Sequence, residues 1–428
     1  MRRLLFTCLI LLSAGRCAAS ADAGQVDTLS LTQAQQRALR SNADFRIAQA
    51  QADTALAQLR AVREFPNPVA GYSVSKINTD GRSNATAEGR GYWGRSYDSI
   101  FSLSQLVELG KRGVRRVSAE AGARSAEALR DDARRLLLQS VAQLYLAAWE
   151  AREEVRVLTA SAASLRREAE IAATRYHAGD IASTDLAQIE IAAAQLDLSA
   201  ASTRAGAQAA LIALETLLGV AEPRGQTVLS DALDDTAPAV NVQAPAGPRP
   251  DVVAAEANLA KSEADLTLQR HGPIPDLTVT LQYEHQPPDQ PNTAGLGLSF
   301  PLPIWNRNTG NILAARAARE GAQAQLEKVR MQATADAAAA RVAFDEARAR
   351  ADAYRHELQP KSAAIIQSVA YAYEKGGAAL VELLAAERND NDIRIATARA
   401  QADAATAAFV LAAALNQIEP PADRPTLP

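Results

Sequence analysis

Thiols are almost absent from this chain of 428 residues, which has only two cysteines, Cys8 and Cys17. No cysteine follows residue 17. Structural disulfides, thiol redox chemistry and thiolate metal sites are therefore excluded for the remaining sequence. Aromatic residues make up only 4% of the chain, which favours closely packed helices with small side chains over a core with large pockets.

Long apolar runs and an excess of basic residues are also lacking. Beyond the N-terminus no uninterrupted apolar run approaches the roughly 20 residues that a membrane-spanning helix needs. The formal net charge is −4 and the pI is about 5.8, so the sequence shows no basic surface for nucleic acid. If the protein crosses a membrane, it does so by means other than helices.

Catalytic motifs are missing as well. The sequence contains no Ser-His-Asp arrangement, no phosphate-binding loop and no paired-carboxylate pattern. The four histidines are not spaced as metal ligands, and we interpret them as scattered surface residues: His177, His271, His285 and His356. We therefore expect neither an enzyme nor a bound cofactor or metal.

The first 21 residues have the composition of a secretory signal peptide. Arg2 and Arg3 provide positive charge, residues 4–12 provide an apolar core, and small residues predict cleavage near Ala21. Cys17 could instead accept a lipid, but Arg16 directly before it is unfavourable for a lipoprotein signal. We do not expect lipidation.

The chain contains an internal duplication, which shows best at two glycine turns. Tyr176, Gly179 and Asp185 in the first turn match residues of the same character 197 positions later, at Tyr373, Gly376 and Glu382. The same spacing continues to residues 218 and 415, both leucines. A repeat of this length indicates two copies of one structural unit.

Each copy is predicted to form a helix, a β-hairpin, a very long helix, a glycine turn and a return helix. Prolines stop the helix before each hairpin. Thr32 is the predicted N-cap of the first helix, and Ser183 or Thr184 that of the return helix. The predicted segments are a first repeat at 31–220 (hairpin 69–104, tip 176–185), a linker at 221–248, a second repeat at 249–417 (hairpin 276–302, tip 373–382) and a tail at 418–428.

The two hairpins provide four strands of about 8 to 10 residues, a length that suits a tilted membrane-spanning strand. Four strands cannot close a barrel, and an open sheet edge is not stable in lipid. If these strands span a membrane, several copies of the chain must share one barrel. Four aromatic residues could form an interfacial girdle, or could reflect ordinary strand propensity: Tyr72, Tyr92, Trp93 and Tyr97.

Three features are informative together: the duplicated layout, the proline stops before both hairpins, and Tyr-x-x-Gly followed by an acidic residue at both tips. With these features, residues 31–417 resemble the TolC family of outer-membrane efflux proteins. The resemblance implies a mainly α fold with membrane β-structure: a homotrimer with a twelve-strand barrel in outer-membrane lipid and a long periplasmic helical barrel. It also implies two partners, a periplasmic adaptor (membrane fusion protein) and an inner-membrane RND pump. Residues 105–113 and 300–310 look like the cobalt-zinc-cadmium resistance (CzcC-like) branch.

Two acidic residues are candidates for the pore constriction. Asp185 and Glu382 follow the two turns, and in a trimer each would form a ring of three carboxylates that attracts cations. The resemblance favours Glu382. Alternatively, each acid only complements the dipole at the start of its helix.

The tips are also candidates for adaptor docking. By resemblance to the family, Arg175, Gly179 and Ser183 of the first tip match the docking motif, and Tyr373 and Gly376 belong to the second tip. Ala372 stands where the second tip would need the arginine, so the two docking grooves should differ. Both glycines could also be required by the turn alone.

These features together predict an outer-membrane channel of a tripartite efflux system that exports heavy-metal cations such as cobalt, zinc and cadmium. Export of drugs or other small molecules is the alternative cargo. A periplasmic coiled-coil adaptor is the alternative from a different class, and the two hairpins speak against it.

Overall fold

The structure is a computed structural model, and it describes residues 28–75, 98–231, 233, 238, 240–241, 247–286 and 290–418. Several predictions lie outside these residues: the signal segment with Ala21 and Cys17, three of the four aromatic residues (Tyr92, Trp93 and Tyr97), and all but the first residue of the tail.

The described residues of the first half form four helices: α1 (Leu31–Ser41), α2 (Ala43–Arg63), α3 (Arg112–Ala178) and α4 (Ser183–Leu217). Helix α3 has 67 residues, which corresponds to a length of about 100 Å. In α1 and α2 the residues spaced by seven are buried at Leu31, Ala38, Phe45 and Ala52. Because these positions recur every seven residues in the sequence, their spacing coincides with the packed face of both helices.

A single helix was predicted before the first hairpin, but the helical segment breaks at Asn42. This residue has an extended backbone and caps α2, because its Oδ1 accepts from the N–H of Phe45 at 2.9 Å. Its Nδ2 donates to the carbonyl of Leu217 at 3.0 Å, so a tertiary contact stabilises the break. The N-cap of α1 is Ser30 rather than Thr32, since Ser30 Oγ accepts from the N–H of Gln33 at 3.2 Å.

The second half contains α5 (Pro250–His271), α6 (Thr309–Ala353), a π-helical turn (Tyr354–Leu358), α7 (Gln359–Glu374) and α8 (Leu380–Ala414). Helix α6, the π-helical turn and α7 follow one another without a gap. Pro360 lies just after the π-helical turn and has no N–H to donate to the preceding turn. A wider π turn is a known way to accommodate such a defect. This turn was not predicted from the sequence, and α3 has no such interruption.

The strands in the described part of the chain form two sheets. Two-residue strands β1 (Thr28–Leu29) and β4 (Val228–Leu229) pair in parallel, whereas β2 (Val69–Ser75), β3 (Asp98–Val107), β5 (Leu277–Gln286) and β6 (Gln290–Ser299) form an antiparallel sheet in the order β2-β3-β5-β6. The four strands of the larger sheet are those that the alternating sequences predict. The small sheet was not predicted.

The largest core lies where the small sheet meets α1, α3, α4 and α8. Tyr145 is fully buried there, donates its hydroxyl hydrogen to the carbonyl of Leu29 at 3.0 Å and accepts from the N–H of Asp231 at 3.3 Å. Burial raises the pKa of Tyr145 to about 12, so its hydroxyl stays protonated and keeps donating. Through these two hydrogen bonds Tyr145 connects Leu29 and Asp231, which follows α4, to the middle of α3.

Candidate functional site

The four-stranded sheet has one apolar and one largely polar face, because side chains alternate along each strand. In one row across the sheet, Tyr72 faces Phe101, which faces Tyr283, with ring centroids 4.8 Å and 6.3 Å apart. The adjacent apolar row includes Leu281 and Leu296, which are 57% and 69% exposed.

The opposite face carries small and polar residues. One row consists of Gly71, Ser102, Gln282 and Gly295. In the next row, Ser104 Oγ and Thr280 Oγ1 form a hydrogen bond of 3.0 Å. A sheet with this division can face an apolar medium on one side and water on the other.

The long helices form two hairpins, α3–α4 and α7–α8, which lie side by side in the order α4, α3, α8, α7. Each hairpin turns at a glycine with a left-handed backbone, since φ is +84° at Gly179 and +77° at Gly376. The N–H of Asp180 donates to the carbonyl of Arg175 at 2.9 Å, and the N–H of Gly377 donates to that of Ala372 at 2.8 Å. Both turns therefore end their helix in the same way, with glycine supplying the conformation that other residues adopt at a cost.

The return helices begin differently from the prediction. The N-caps of α4 and α8 are Ala182 and Ala379, so neither Ser183 nor Thr184 caps α4. Ser183 is the first residue of the helix and is exposed.

The structure brings the two tips into contact through apolar side chains. Ala172 and Ile189 of the first hairpin are buried with Leu380 of the second, and Tyr373 and Leu186 pack against this cluster. The Arg175 guanidinium lies 5.7 Å from the centre of the Tyr373 ring, within the range of a cation–π interaction. Burial raises the pKa of the Tyr373 hydroxyl, and the carboxylates of Glu168 and Asp185 also raise it while Arg175 opposes them.

The two predicted pore acids have different surroundings. Glu382 is exposed and its Oε2 accepts from the N–H of Ala379 at 3.3 Å, so this side chain helps to cap α8. Asp185 lies in the first turn of α4, is half-buried and is close enough to Tyr373 to affect its pKa. A ring of carboxylates would need several copies of the chain. In the single chain both acids lie at the same end of the molecule.

Sequence reasoning missed a polar layer further from the tips. Ser161 of α3 donates its hydroxyl to Asn391 Oδ1 of α8, and Ser362 of α7 donates to Asp390 Oδ1 at 2.9 Å. Asp390 also forms an ion pair of 2.6 Å with Arg394. A signal was available, because asparagine and aspartate in the packed face of a coiled coil commonly fix its register.

A groove of about 640 Å³ runs between α4 and α8, beginning beside the second tip. Leu158 and Leu165 of α3 line it, together with Leu196 and Ser199 of α4 and Leu384 of α8. Burial, and then the charge of Asp390, raise the pKa of Glu387 in this groove. The groove is therefore mainly apolar, with a few ionisable groups.

Two features are absent from the described part of the chain. No helix there is both long and apolar enough to cross a membrane. In the same residues, no group of three or more His, Cys, Asp or Glu side chains is placed to hold a metal ion.

Comparison with known proteins gives consistent results. The chain matches the family described as Outer membrane efflux protein over residues 19–220 and 243–417. It is 28% identical over 300 residues to the cobalt-zinc-cadmium resistance protein CzcC of Cupriavidus metallidurans, which covers 69% of this chain and 72% of that protein. It is 30% identical over 247 residues to the nickel-cobalt-cadmium resistance protein NccC of Alcaligenes xylosoxydans xylosoxydans, which covers 55% of this chain and 54% of that protein.

A solved structure shares the fold. The chain superposes on the open state of the MtrE outer membrane channel of Neisseria gonorrhoeae with a TM-score of 0.72 and 22% identity, over 90% of this chain and 88% of the other. The predicted TolC-like fold, with a four-stranded sheet joined to long helical hairpins, is thereby confirmed.

Proposed function

The chain belongs to the outer membrane efflux protein family, and we propose that three copies form the outer-membrane channel of a tripartite system that exports divalent heavy-metal cations. The family is an efflux family rather than an enzyme family. The protein resides in the outer membrane, and its helical hairpins lie in the periplasm.

The single observation that carries the channel proposal is the two-faced sheet attached to long helices. Its apolar face suits lipid and its polar face suits a water-filled lumen. The outer strands β2 and β6 have no partner on their free sides in the described sheet, and lipid does not tolerate unpaired strand edges. Three copies with four strands each would close one barrel of about twelve strands.

The cargo is proposed from the relatives. The names of CzcC and NccC describe resistance to cobalt, zinc and cadmium and to nickel, cobalt and cadmium. A channel needs to pass such ions and not retain them. The energy for export would come from an inner-membrane RND pump, joined to the channel by a periplasmic adaptor.

The tips are the proposed docking site for that adaptor. Arg175, Gly179 and Ser183 lie on the first tip, and Tyr373 and Gly376 lie on the second. The groove between α4 and α8 begins beside the second tip and has an apolar floor. An amphipathic helical hairpin is the kind of partner that such a groove accepts.

Glu382 and Asp185 are the proposed cation-selective rings at the pore constriction. In a trimer, three carboxylates at one level would raise the local concentration of cations. Glu382 would have two roles, because it also caps α8 through the N–H of Ala379.

Replacement of Glu382 can separate these two roles. Glu382→Gln removes the charge but keeps an oxygen that can accept from Ala379, whereas Glu382→Ala removes both. In planar lipid bilayers we expect both variants to lower the cation-to-anion permeability ratio several-fold, and Asp185→Asn to lower it less. Unchanged selectivity in Glu382→Gln channels of normal conductance would refute the ring and leave only the cap.

The cargo is tested by a resistance profile of a deletion strain. Growth is measured against zinc, cobalt, cadmium, nickel, copper and silver salts and against a panel of drugs, with and without the wild-type gene. We expect sensitivity to divalent metals that the gene reverses. Sensitivity confined to drugs would refute the metal cargo but not the channel. As a control for failed expression, the amount of the protein in the outer-membrane fraction of the complemented strain is measured.

A further inference from the structure

A basic and apolar surface lies just beyond the four-stranded sheet, where α2 ends and α3 begins. Its centre is Arg112, whose guanidinium carbon lies 3.4 Å from the centre of the Phe65 ring and whose Nη2 donates to the carbonyl of Arg63 at 2.5 Å. One turn further along α3, Arg116 pairs with Glu120 at 3.0 Å, and Arg63 pairs with the same carboxylate at 3.4 Å. We call this surface, together with the neighbouring Val117, the rim patch: Arg63, Phe65, Arg112, Arg116 and Val117.

The rim patch lies on the side of α3 that is turned away from the polar face of the sheet. Leu106 and Thr278 pair with each other on that polar face, and both line a cavity together with Lys111. A separate cavity of about 430 Å³ is lined by Arg112 and Val117 but not by Lys111. Val117 follows Lys111 by six residues, which turns it by about 240° around the helix, so the two cavities open on opposite sides of α3. The rim patch therefore continues the apolar face of the sheet.

Exposed apolar side chains connect the rim patch to that apolar face. Leu103 and Val107 lie on the same side of β3 as Phe101, because side chains alternate along a strand, and they are 47% and 40% exposed. Leu109 is exposed in the connection to α3, and Phe65 is 75% exposed. The surface that faces lipid on the sheet thus extends onto the first turns of the helices.

The strand ends set the depth of the rim patch in the membrane. Strand β3 has 10 residues, which is the length that crosses the hydrocarbon core when the strand is tilted. Arg112 follows the end of β3 by five residues, and Phe65 precedes the start of β2 by four. The headgroup region on each side of the core is about 5–8 Å thick, so the rim patch lies at its level. Because the helices lie in the periplasm, these headgroups belong to the phospholipids of the periplasmic leaflet.

The end of α2 and the start of α3 are basic, although the chain as a whole carries a net charge of −4. Four arginines and two glutamates leave an excess of two positive charges there: Arg60, Arg63, Arg112, Arg116, Glu64 and Glu120. A guanidinium has five N–H donors in a planar fork that matches the oxygens of a phosphate. Arg112 uses one nitrogen for the carbonyl of Arg63 and retains donors for a further acceptor. A cationic surface at headgroup level favours lipids with a net negative charge.

We propose that the rim patch binds an anionic phospholipid of the periplasmic leaflet. Arg112 and Arg116 hold its phosphate, and an acyl chain runs along Phe65 and Leu109 toward the apolar face of the sheet. The inference rests on the orientation of the sheet proposed above, with the apolar face toward lipid, and adds a lipid-specific site to it. A lipid held there would fix the height of the helices relative to the membrane.

Native mass spectrometry tests the site in the full-length protein purified from outer membranes. The protein is mixed in detergent with equal amounts of phosphatidylglycerol and phosphatidylcholine of the same acyl chains, and the lipids that stay bound are counted. Arg112→Gln with Arg116→Gln removes two charges from the rim patch. Lys111→Gln with Arg115→Gln is the matched control, because it removes two charges from the opposite side of the same helical turns. We expect the first double variant to lower the ratio of bound phosphatidylglycerol to phosphatidylcholine by about five-fold or more, since one basic residue near an anionic lipid surface contributes a factor of about five. The control should leave that ratio almost unchanged.

Two results would overturn the lipid site directly: no preference for phosphatidylglycerol in the wild type, or an equal loss of preference in both double variants. Displacement of the lipid by millimolar inorganic phosphate would also overturn it, because the patch would then be a site for a free anion. If the glutamine variant fails to fold, Arg112→Lys with Arg116→Lys decides, since lysine keeps the charge but not the fork. Its lipid preference should disappear at a lower salt concentration than that of the wild type, and an identical salt dependence would contradict the proposal.

Conductance in planar lipid bilayers separates this inference from the proposed channel. A wild-type protein with normal conductance but no lipid preference would overturn the lipid site alone. A wild-type protein that prefers phosphatidylglycerol but conducts no ions would support the lipid site and overturn the channel.

Discussion

Two glycines with almost the same backbone conformation should respond very differently to replacement by alanine. Gly179 at the first tip has a φ of +84° and Gly219 after α4 has a φ of +75°. A Cβ added at Gly179 would have no heavy atom within 4 Å, whereas a Cβ at Gly219 would lie 2.6 Å from the carbonyl oxygen of Ser41. Comparison of the two variants therefore separates the energetic cost of a left-handed backbone from the cost of the steric clash made by the added Cβ.

The magnitudes follow from these surroundings. Gly179→Ala incurs only the left-handed backbone penalty of about 1–2 kcal/mol. Gly219→Ala incurs the same penalty and must also displace the backbone at Ser41, next to the hydrogen bond of 3.0 Å from Asn42 to Leu217. Overpacking costs about 1–3 kcal/mol and a lost hydrogen bond about 1 kcal/mol, so together with the backbone penalty we expect a total of about 3–6 kcal/mol.

Thermal unfolding of the purified variants in detergent measures the difference. Circular dichroism at a fixed heating rate is suitable, because unfolding of such proteins is commonly irreversible and depends on the rate. We expect Gly219→Ala to lower the midpoint at least twice as much as Gly179→Ala. Gly179→Asn should be close to wild type, since asparagine tolerates the left-handed region better than alanine. Equal effects of the two alanine variants would refute the argument from space.

Three further outcomes are expected. Leu281→Arg should reduce the amount of protein in the outer membrane, because it puts a charge on the apolar face of β5 at a cost of about 2–4 kcal/mol in lipid. The neighbouring Gln282→Arg, on the polar face, should leave that amount unchanged. Immunoblots of membrane fractions measure both variants. Burial raises the pKa of Glu215, but hydrogen bonds from the N–H groups of Gly225, Thr227 and Arg224 and from the Thr227 hydroxyl outweigh burial and lower the pKa below its ordinary value of 4.5. This carboxylate therefore stabilises the fold above that pH and ceases to do so as the pH falls, so Glu215→Gln should lower the unfolding midpoint at pH 7 and have less effect near pH 4. Arg394→Met should destabilise the protein by about 1–3 kcal/mol more than Ser362→Ala does. The reason is that Arg394→Met leaves the buried Asp390 carboxylate without its ion pair. The midpoints of thermal unfolding of the two variants measure the difference.

The sequence was sufficient to predict the four long strands and the two glycine turns. Each depends on local signals: alternation in residues 69–75 and 277–286, and glycine after a helical pattern at Gly179 and Gly376. Such signals are read from neighbouring residues and do not depend on the rest of the fold.

Features that depend on distant contacts could not be predicted. The break at Asn42 is stabilised by Leu217, far away in sequence, and Ser30 rather than Thr32 became the cap although both can accept a hydrogen bond. The pairing of β1 with β4 involves only two residues on each strand, too few for a pattern. The π-helical turn had one local sign, Pro360, which lies within a long helical segment.

The apolar packing of the tips was missed for a different reason. Acids and glycines such as Glu382 and Gly179 stand out in the sequence of the tips, but Leu380 and Ile189 have no distinctive pattern among many apolar residues. Asp390 and Asn391 could have been found as polar residues on a packed helix face.

The open sheet also constrains how the protein reaches its destination. A newly secreted copy in water would have β2 and β6 with free hydrogen-bonding edges, beside an apolar face that includes Leu281 and Leu296. Such edges pair with whatever strand they meet first, which makes a lone copy prone to aggregation. Biogenesis therefore requires that these strands stay unpaired until the chain reaches lipid and other copies of itself. A shortage of periplasmic chaperones should lower the amount of this protein in the outer membrane more than that of proteins whose single chain closes its own barrel.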